Sequence, residues 1–135
     1  MKVSELYRPQ VVTARGGEDL TVAASRMAFH EIGSLAVFDR ERLVGIITES
    51  DVARAVAAGR DCSRATVREL MTPQPVTVGL GWDAARAAWL MLVVGARHLP
   101  VVEAGRVMGM VSARDLLAME AWDFLKAGIA TGTGR

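Results

Sequence analysis

Apolar positions in this chain come in short blocks whose spacing shifts from alternating to helical and back, and the whole cycle occurs twice. In the first cycle Val11-Val12-Thr13 predicts a short strand. Val22, Ala23, Met27 and Phe29 fall near helical spacing and predict a helix over Leu20 to His30, with Asp19 placed to cap it. Ser34 to Phe38 is a mostly apolar strand, Asp39-Arg40-Glu41-Arg42 a polar turn, and Leu43 to Thr48 the paired strand. A second helix is expected from about Ser50 to Ala58, stopping at Gly59. After the polar stretch Arg60 to Ala65 the order returns. Val76-Thr77-Val78 is a strand, Asp83 to Val94 a helix, His98 to Val102 and Val107 to Ser112 a hairpin turning at Glu103-Ala104-Gly105-Arg106, and Arg114 to about Ala127 a last helix.

The return is a repeat in the strict sense. Val3-Ser4-Glu5-Leu6-Tyr7-Arg8-Pro9-Gln10 matches Val67-Arg68-Glu69-Leu70-Met71-Thr72-Pro73-Gln74, and Gly45-Ile46-Ile47-Thr48-Glu49-Ser50-Asp51 matches Gly109-Met110-Val111-Ser112-Ala113-Arg114-Asp115, at one constant offset. Over residues 3–55 against 67–119, 17 of 53 positions are identical, with no gap. The expected fold is therefore α/β (α+β): two tandem β-α-β-β-α repeats, residues 1–62 and 63–127, followed by a Gly/Thr-rich tail, 128–135, expected to be disordered. One repeat is too small to hide its apolar strands alone. Two packed sheet to sheet would bury them in a pseudo-two-fold disc with a cleft between the halves.

The positions kept in both copies cluster at a strand-to-helix junction. A helix start leaves N–H groups without intrahelical partners and carries partial positive charge, which suits an anion. An ionised Asp only accepts hydrogen bonds, which suits a diol able to donate two. The same spacing, Thr48-x-x-Asp51 and Ser112-x-x-Asp115, also fits a capping box with Asp in place of Glu or Gln. Capping alone would explain the pattern, and the two roles are compatible.

Gly-hydrophobic-hydrophobic-Thr/Ser-x-x-Asp at the end of each hairpin, together with Arg97-His98-Leu99-Pro100-Val101-Val102, resembles a cystathionine β-synthase (CBS) domain; two in tandem resemble a CBS pair, or Bateman module. The resemblance covers about residues 3–120. It implies a regulatory module binding an adenosine-containing ligand (AMP, ADP, ATP or S-adenosylmethionine) in clefts between the repeats. It places Asp51 and Asp115 on the ribose hydroxyls, and Thr48, Ser50 and Ser112 near ribose and phosphate. Gly33, Ser34, Arg97 and His98, which precede the apolar strands, would line the pockets. Two departures from the pattern are Arg114, where the first copy has Ser50, and Ala36, where the second has Pro100. The resemblance also implies a homodimer formed through helices.

Composition narrows the alternatives. A net charge of +1 supplies no global field for nucleic acid or an acidic membrane. Hydrophobic residues make up 51% and mean hydropathy is +0.25, high for so small a chain, and part of that content is expected at an oligomer interface. No apolar run approaches the roughly 20 residues that span a bilayer, and Met1 to Glu5 lacks a signal peptide's apolar core. The single Cys62 cannot make an internal disulfide, which is compatible with a reducing cytoplasm. Two histidines, His30 and His98, supply a metal site poorly; no nucleophile-base constellation is spaced for catalysis, and Ala14-Arg15-Gly16-Gly17 lacks the Lys-Ser/Thr of a phosphate loop. The chain therefore reads as a ligand sensor rather than an enzyme, with an interaction module acting by dimerisation alone as the other reading.

Mismatches between the copies carry two further expectations. Arg97, His98 and Arg114 should gather at Asp115, whereas Gly33, Ser34 and Ser50 bring no charge to Asp51; the Asp115 site would then take the more phosphate-rich ligand. Ser25-Arg26 in the first helix becomes Trp89-Leu90 in the second, which with Trp82 and Val93 marks a covered surface, either core or subunit interface. Trp122 and Phe124 could join that surface.

Overall fold

Both expected hairpins form, each in a sheet of its own. The computed structural model describes residues 1–9, 12–118 and 127–128. Within them the elements run β1 (Arg8–Pro9), β2 (Thr13–Arg15), α1 (Leu20–His30), β3 (Ser34–Asp39), β4 (Arg42–Thr48), α2 (Glu49–Ala57), α3 (Val67–Leu70), β5 (Thr72–Pro73), α4 (Ala84–Val94), β6 (His98–Glu103) and β7 (Arg106–Ser112). Residues 113–118 are helical, beginning one position before the expected Arg114. The rest of that helix, with Trp122 and Phe124, lies outside the described residues, as does nearly all of the tail.

Contacts divide the chain into two compact units, Gln10–Val76 and Met1–Pro9 together with Thr77–Arg135. This division differs from the sequence repeats, because the first nine residues stand with the second repeat and the segment through Val76 with the first. In the Gln10–Val76 unit the strand order is β2-β3-β4-β5, with β2 parallel to β3 and the other pairs antiparallel. In the other unit the order is β1-β7-β6, all antiparallel. The hairpins share one irregularity: a register shift falls between Val37 and Phe38 and again between Val101 and Val102, equivalent positions at the repeat offset.

Each unit has its own core. Leu20, Ala23 and Met27 from α1 pack with Leu35, Val37 and Ile47 of the hairpin and with Val67 of α3. Ala87 and Met91 from α4 pack with Leu99, Val101 and Val111, with Val78, and with Val3 from the N-terminal segment. Val3 and Val67 open the two copies of the Val-x-Glu-Leu motif, and both are fully buried. The motif folds as a 3-10 turn over Val3–Glu5 in one copy and as α3, capped by Thr66 and Glu69, in the other.

Two expected strands are displaced or lost. The first is Thr13–Arg15, where only Ala14 faces the core, rather than Val11 to Thr13; Val11 itself lies outside the described residues. At Val76-Thr77-Val78 only one parallel bridge survives, Val78 to Val101, held by Val78 N–H to Pro100 O (3.0 Å) and Val102 N–H to Val78 O (2.8 Å). Gly79 and Gly81 follow immediately, and glycine weakens strand continuation.

The helix starts differ between copies. Asp19 caps α1 through its side chain, accepting from Val22 N–H at 3.0 Å. Its equivalent Asp83 makes no such bond and instead accepts from Lys2 Nζ at 3.0 Å. Arg26, expected to be an exposed polar residue, is half-buried: it forms a two-pronged ion pair with Glu18 and donates to Thr13 O at 3.0 Å, fastening β2 to α1. Its hydrogen bond to Glu18 holds that carboxyl below its ordinary value against the opposing effect of burial, helped by the Arg15 N–H. Ser25 is exposed as expected. In the second copy the stripe divides: Trp82 and Leu90 pack against their own core, Trp82 also beneath the Arg86 guanidinium at 3.6 Å, while Trp89 is 61% exposed.

Candidate functional site

Each hairpin delivers a Thr or Ser to the first turn of a helix. In the Gln10–Val76 unit, β4 ends at Thr48, whose extended backbone (φ −122°, ψ 165°) makes it the cap of α2. Thr48 Oγ1 accepts from Asp51 N–H at 3.3 Å, and Asp51 Oδ2 accepts from Thr48 N–H at 2.8 Å and from Thr48 Oγ1–H at 3.0 Å. This is a reciprocal capping box. It leaves Oδ1, which accepts from Arg54 Nη2 at 2.6 Å. Across the sheet Ser34 pairs with Thr48 and is buried, and Gly33 O accepts from Glu49 N–H at 3.1 Å. Gly33, Ser34, Thr48 and Asp51 are thus assembled by backbone geometry, with Ser50 half-buried in the first turn.

The second unit repeats the construction. Asp115 Oδ2 accepts from Ser112 N–H at 2.9 Å, and Asp115 N–H donates to Ser112 Oγ at 3.2 Å. His98 pairs with Ser112, and Ala113 N–H donates to Arg97 O at 2.9 Å. Here Asp115 Oδ1 accepts from Arg8 Nε at 3.1 Å, an arginine 107 positions away on β1. Arg97 and Arg114 are both exposed.

The capping reading of the spacing is therefore realised at both carboxylates. Gly33, Ser34 and Ser50 bring no charge to Asp51, but Arg54, which that comparison left out, is bonded to it. Sequence reasoning missed both arginines. Arg54 sits three residues after Asp51, a spacing at which helical side chains meet, so that signal was present. Arg8 had none, because nothing in sequence order ties β1 to Asp115. Both carboxylates are nearly buried, at 7% and 9% exposure, whereas their arginines are 71% and 63% exposed. The carboxylates are fixed parts of the fold, and the guanidiniums are loosely held partners. Among the described residues no group of three His, Cys, Asp or Glu is placed to hold a metal ion, and no helix is long and apolar enough to cross a membrane.

The family model for the CBS domain matches this chain twice, over residues 3–58 and 67–121. The chain belongs to the CBS-domain family. A 17.7 kDa protein of Acidianus ambivalens is 38% identical over 117 residues, covering 85% of this chain and 70% of that protein. A protein of Methanopyrus kandleri is 31% identical over 125 residues, covering 90% of this chain and 64% of its own length. Among solved structures, the CBS domain pair of protein MJ0100, in complex with 5′-methylthioadenosine and S-adenosylmethionine, superposes with a TM-score of 0.83 at 27% identity, covering 91% of this chain and 98% of that one. The fold is thus that of a tandem CBS pair, with one hairpin-to-helix junction per CBS domain.

Proposed function

We propose that this CBS pair is a regulatory module that binds an adenosine-containing ligand, with Asp51 and Asp115 accepting the ribose hydroxyls, and passes its occupancy on to a partner. The observation that carries this reading is the likeness to the MJ0100 pair, which is crystallised with two adenosine derivatives. The chemistry of the junction supports it. Each carboxylate is fixed on Oδ2 by its own helix start, and among the described residues a mostly exposed arginine alone holds Oδ1, so that edge can be given up to a diol. The Thr48 and Ser112 hydroxyls stand beside the carboxylates at the helix starts, where a phosphate is favoured. S-adenosylmethionine, 5′-methylthioadenosine, AMP, ADP and ATP are the candidates.

Thermal shift tests the reading. A ligand at 100 times its Kd stabilises a folded protein by about 2.7 kcal/mol. At least one of the five compounds should raise the melting temperature by several degrees, and Asp51→Asn or Asp115→Asn should abolish the rise relative to each variant's own baseline. No shift with any compound would refute it.

A second reading, a dimerisation module that takes no nucleotide, is favoured by two observations. Capping and arginine pairing already give both oxygens of each Asp a partner. In addition Trp89 and its helical neighbours Leu92, 84% exposed, and Val93 form an apolar face on α4. Where α4 has Trp89 the first copy has Ser25, although Val93 is matched by the exposed Phe29, so self-association on this reading is centred on the second repeat, which has the larger apolar face.

A further inference from the structure

Asp51 and Asp115 are equivalent by sequence, by fold and by cap geometry, yet the arginine on each comes from a non-equivalent place. Arg54 lies on the same helix as Asp51, and the matching position near Asp115 is Ala118. Arg8 lies on β1, and the matching position in the other unit is Thr72. The two units thus present the same local arrangement, a buried carboxylate with a guanidinium on its one remaining edge, built from unrelated positions. Helix capping does not need that guanidinium, since both cap bonds are on Oδ2. Shielding a buried charge does not demand one either, because both arginines are mostly in solvent and such pairs are weakly held.

We propose that Arg54 and Arg8 determine which ligand each site prefers, by competing with the ribose for Oδ1 and by receiving the phosphate once displaced. This rests on the ribose reading of the two carboxylates. A diol that donates to Oδ1 must share or take the position now held by the guanidinium. A displaced guanidinium remains within one side chain's reach and is shaped to bind phosphate oxygens in pairs. For a ligand without phosphate the arginine is only a competitor; for a nucleotide it is a competitor that becomes a partner. Displacement has a different consequence in each unit. Arg54 swings from the helix that carries Asp51, so the event stays local. Arg8 belongs to a strand paired to β7, among the described residues, through Arg8–Met110 and Pro9–Gly109, so a phosphate that draws Arg8 away also pulls on β1.

The test is calorimetric titration of 5′-methylthioadenosine and of AMP against the full chain and its Arg8→Ala and Arg54→Ala variants. The expected result is a loss confined to the phosphate-bearing ligand. AMP affinity falls tenfold or more at the altered site, while 5′-methylthioadenosine affinity is unchanged or rises up to about fivefold. Arg8→Lys, which keeps the charge but not the fork, should recover only part of the AMP affinity. Hydrogen exchange supplies a readout that does not depend on affinity: AMP, but not 5′-methylthioadenosine, should speed exchange of the backbone amides at the β1–β7 pairing. If wild-type protein binds and each variant loses both ligands equally, or neither, the inference is overturned while the ribose reading stands. If wild-type protein binds neither ligand, the ribose reading itself fails and the inference falls with it.

Discussion

Gly45 and Gly109 occupy the same place in the two repeats, but the same substitution should have unequal consequences. Neither requires positive φ, so the backbone at each tolerates alanine, and replacing Gly can gain about 0.4–1 kcal/mol by restricting the unfolded chain. What differs is the neighbour. A Cβ at Gly109 would lie 2.1 Å from Arg8 O and 2.9 Å from both Arg8 C and Tyr7 Cδ2. Non-bonded heavy atoms settle near 3.5–4 Å, so β1 would have to retreat by more than about 1 Å. The cost is capped by releasing β1 altogether: roughly two backbone hydrogen bonds at about 1 kcal/mol each, and an exposed ion pair at no more than about 1 kcal/mol. At Gly45 the nearest atoms are Met71 Sδ at 2.4 Å and Cγ at 3.0 Å, the end of a flexible side chain, with Thr72 O at 3.0 Å asking only a small shift. Net of the unfolded-state gain, Gly109→Ala should cost about 2 kcal/mol, and Gly45→Ala between 0 and about 1 kcal/mol. Urea denaturation measures both directly, and in melting temperature the Gly109 variant should fall by roughly 6–10 °C. Equal losses in the two variants, or a neutral Gly109→Ala, would refute the claim that close approach of β1 is why glycine stands there.

The Glu18–Arg26 pair predicts a pH signature. Glu18 titrates lower in the folded protein than its ordinary value of 4.5, so its contribution is complete above that value and is lost as pH falls through the depressed one. Arg26→Leu, which imitates Leu90 of the second copy, should cost about 1–2 kcal/mol near neutrality and progressively less below about pH 4; a gap that does not change with pH in urea melts would count against the pairing. Trp89→Glu places a charge on the apolar face of α4 at a mostly exposed position, so it should leave the fold intact and shift sedimentation toward monomer. A folded variant with an unaltered association equilibrium would remove that face from any subunit contact.

What can be read from sequence divides by the length of the element and the separation of its partners. The helix Leu20–His30 and both hairpins are legible because an apolar period over six or more residues survives local noise. The four-residue α3 and the two-residue strands β1 and β5 are below the length at which a period exists, so Val-x-Glu-Leu is visible as a repeat and invisible as structure. At the site, Thr48, Asp51, Ser112 and Asp115 are legible because three-residue spacing at a helix start has a local meaning. The error over Arg26 has the same root. A polar residue on a helix reads as solvent-facing, whereas Glu18, eight positions earlier, draws it across β2.

The partition of the chain gives the two carboxylates different relations to the rest of the molecule. Val3 inserts into the core built by Val78, Leu99 and Val111, and its N–H donates to Trp82 O at 2.8 Å, so the N-terminal segment is a structural part of the second unit. Val67 does the same for the first, its N–H donating to Glu18 O at 2.8 Å. Each unit is therefore completed by a Val-x-Glu-Leu segment that reaches it by a different route: one arrives from the chain's beginning, ahead of its hairpin, the other comes after its hairpin in the same unit. Only the former carries an arginine onto a carboxylate, since Thr72 stands where Arg8 does. Through its Oδ1 partner a perturbation at Asp115 can thus reach Val3 and the core by one short strand, whereas the Oδ1 partner of Asp51 stays on α2. Duplication made the two junctions alike, and among their differences that of Arg8 against Thr72 ties one of them to the N-terminal segment.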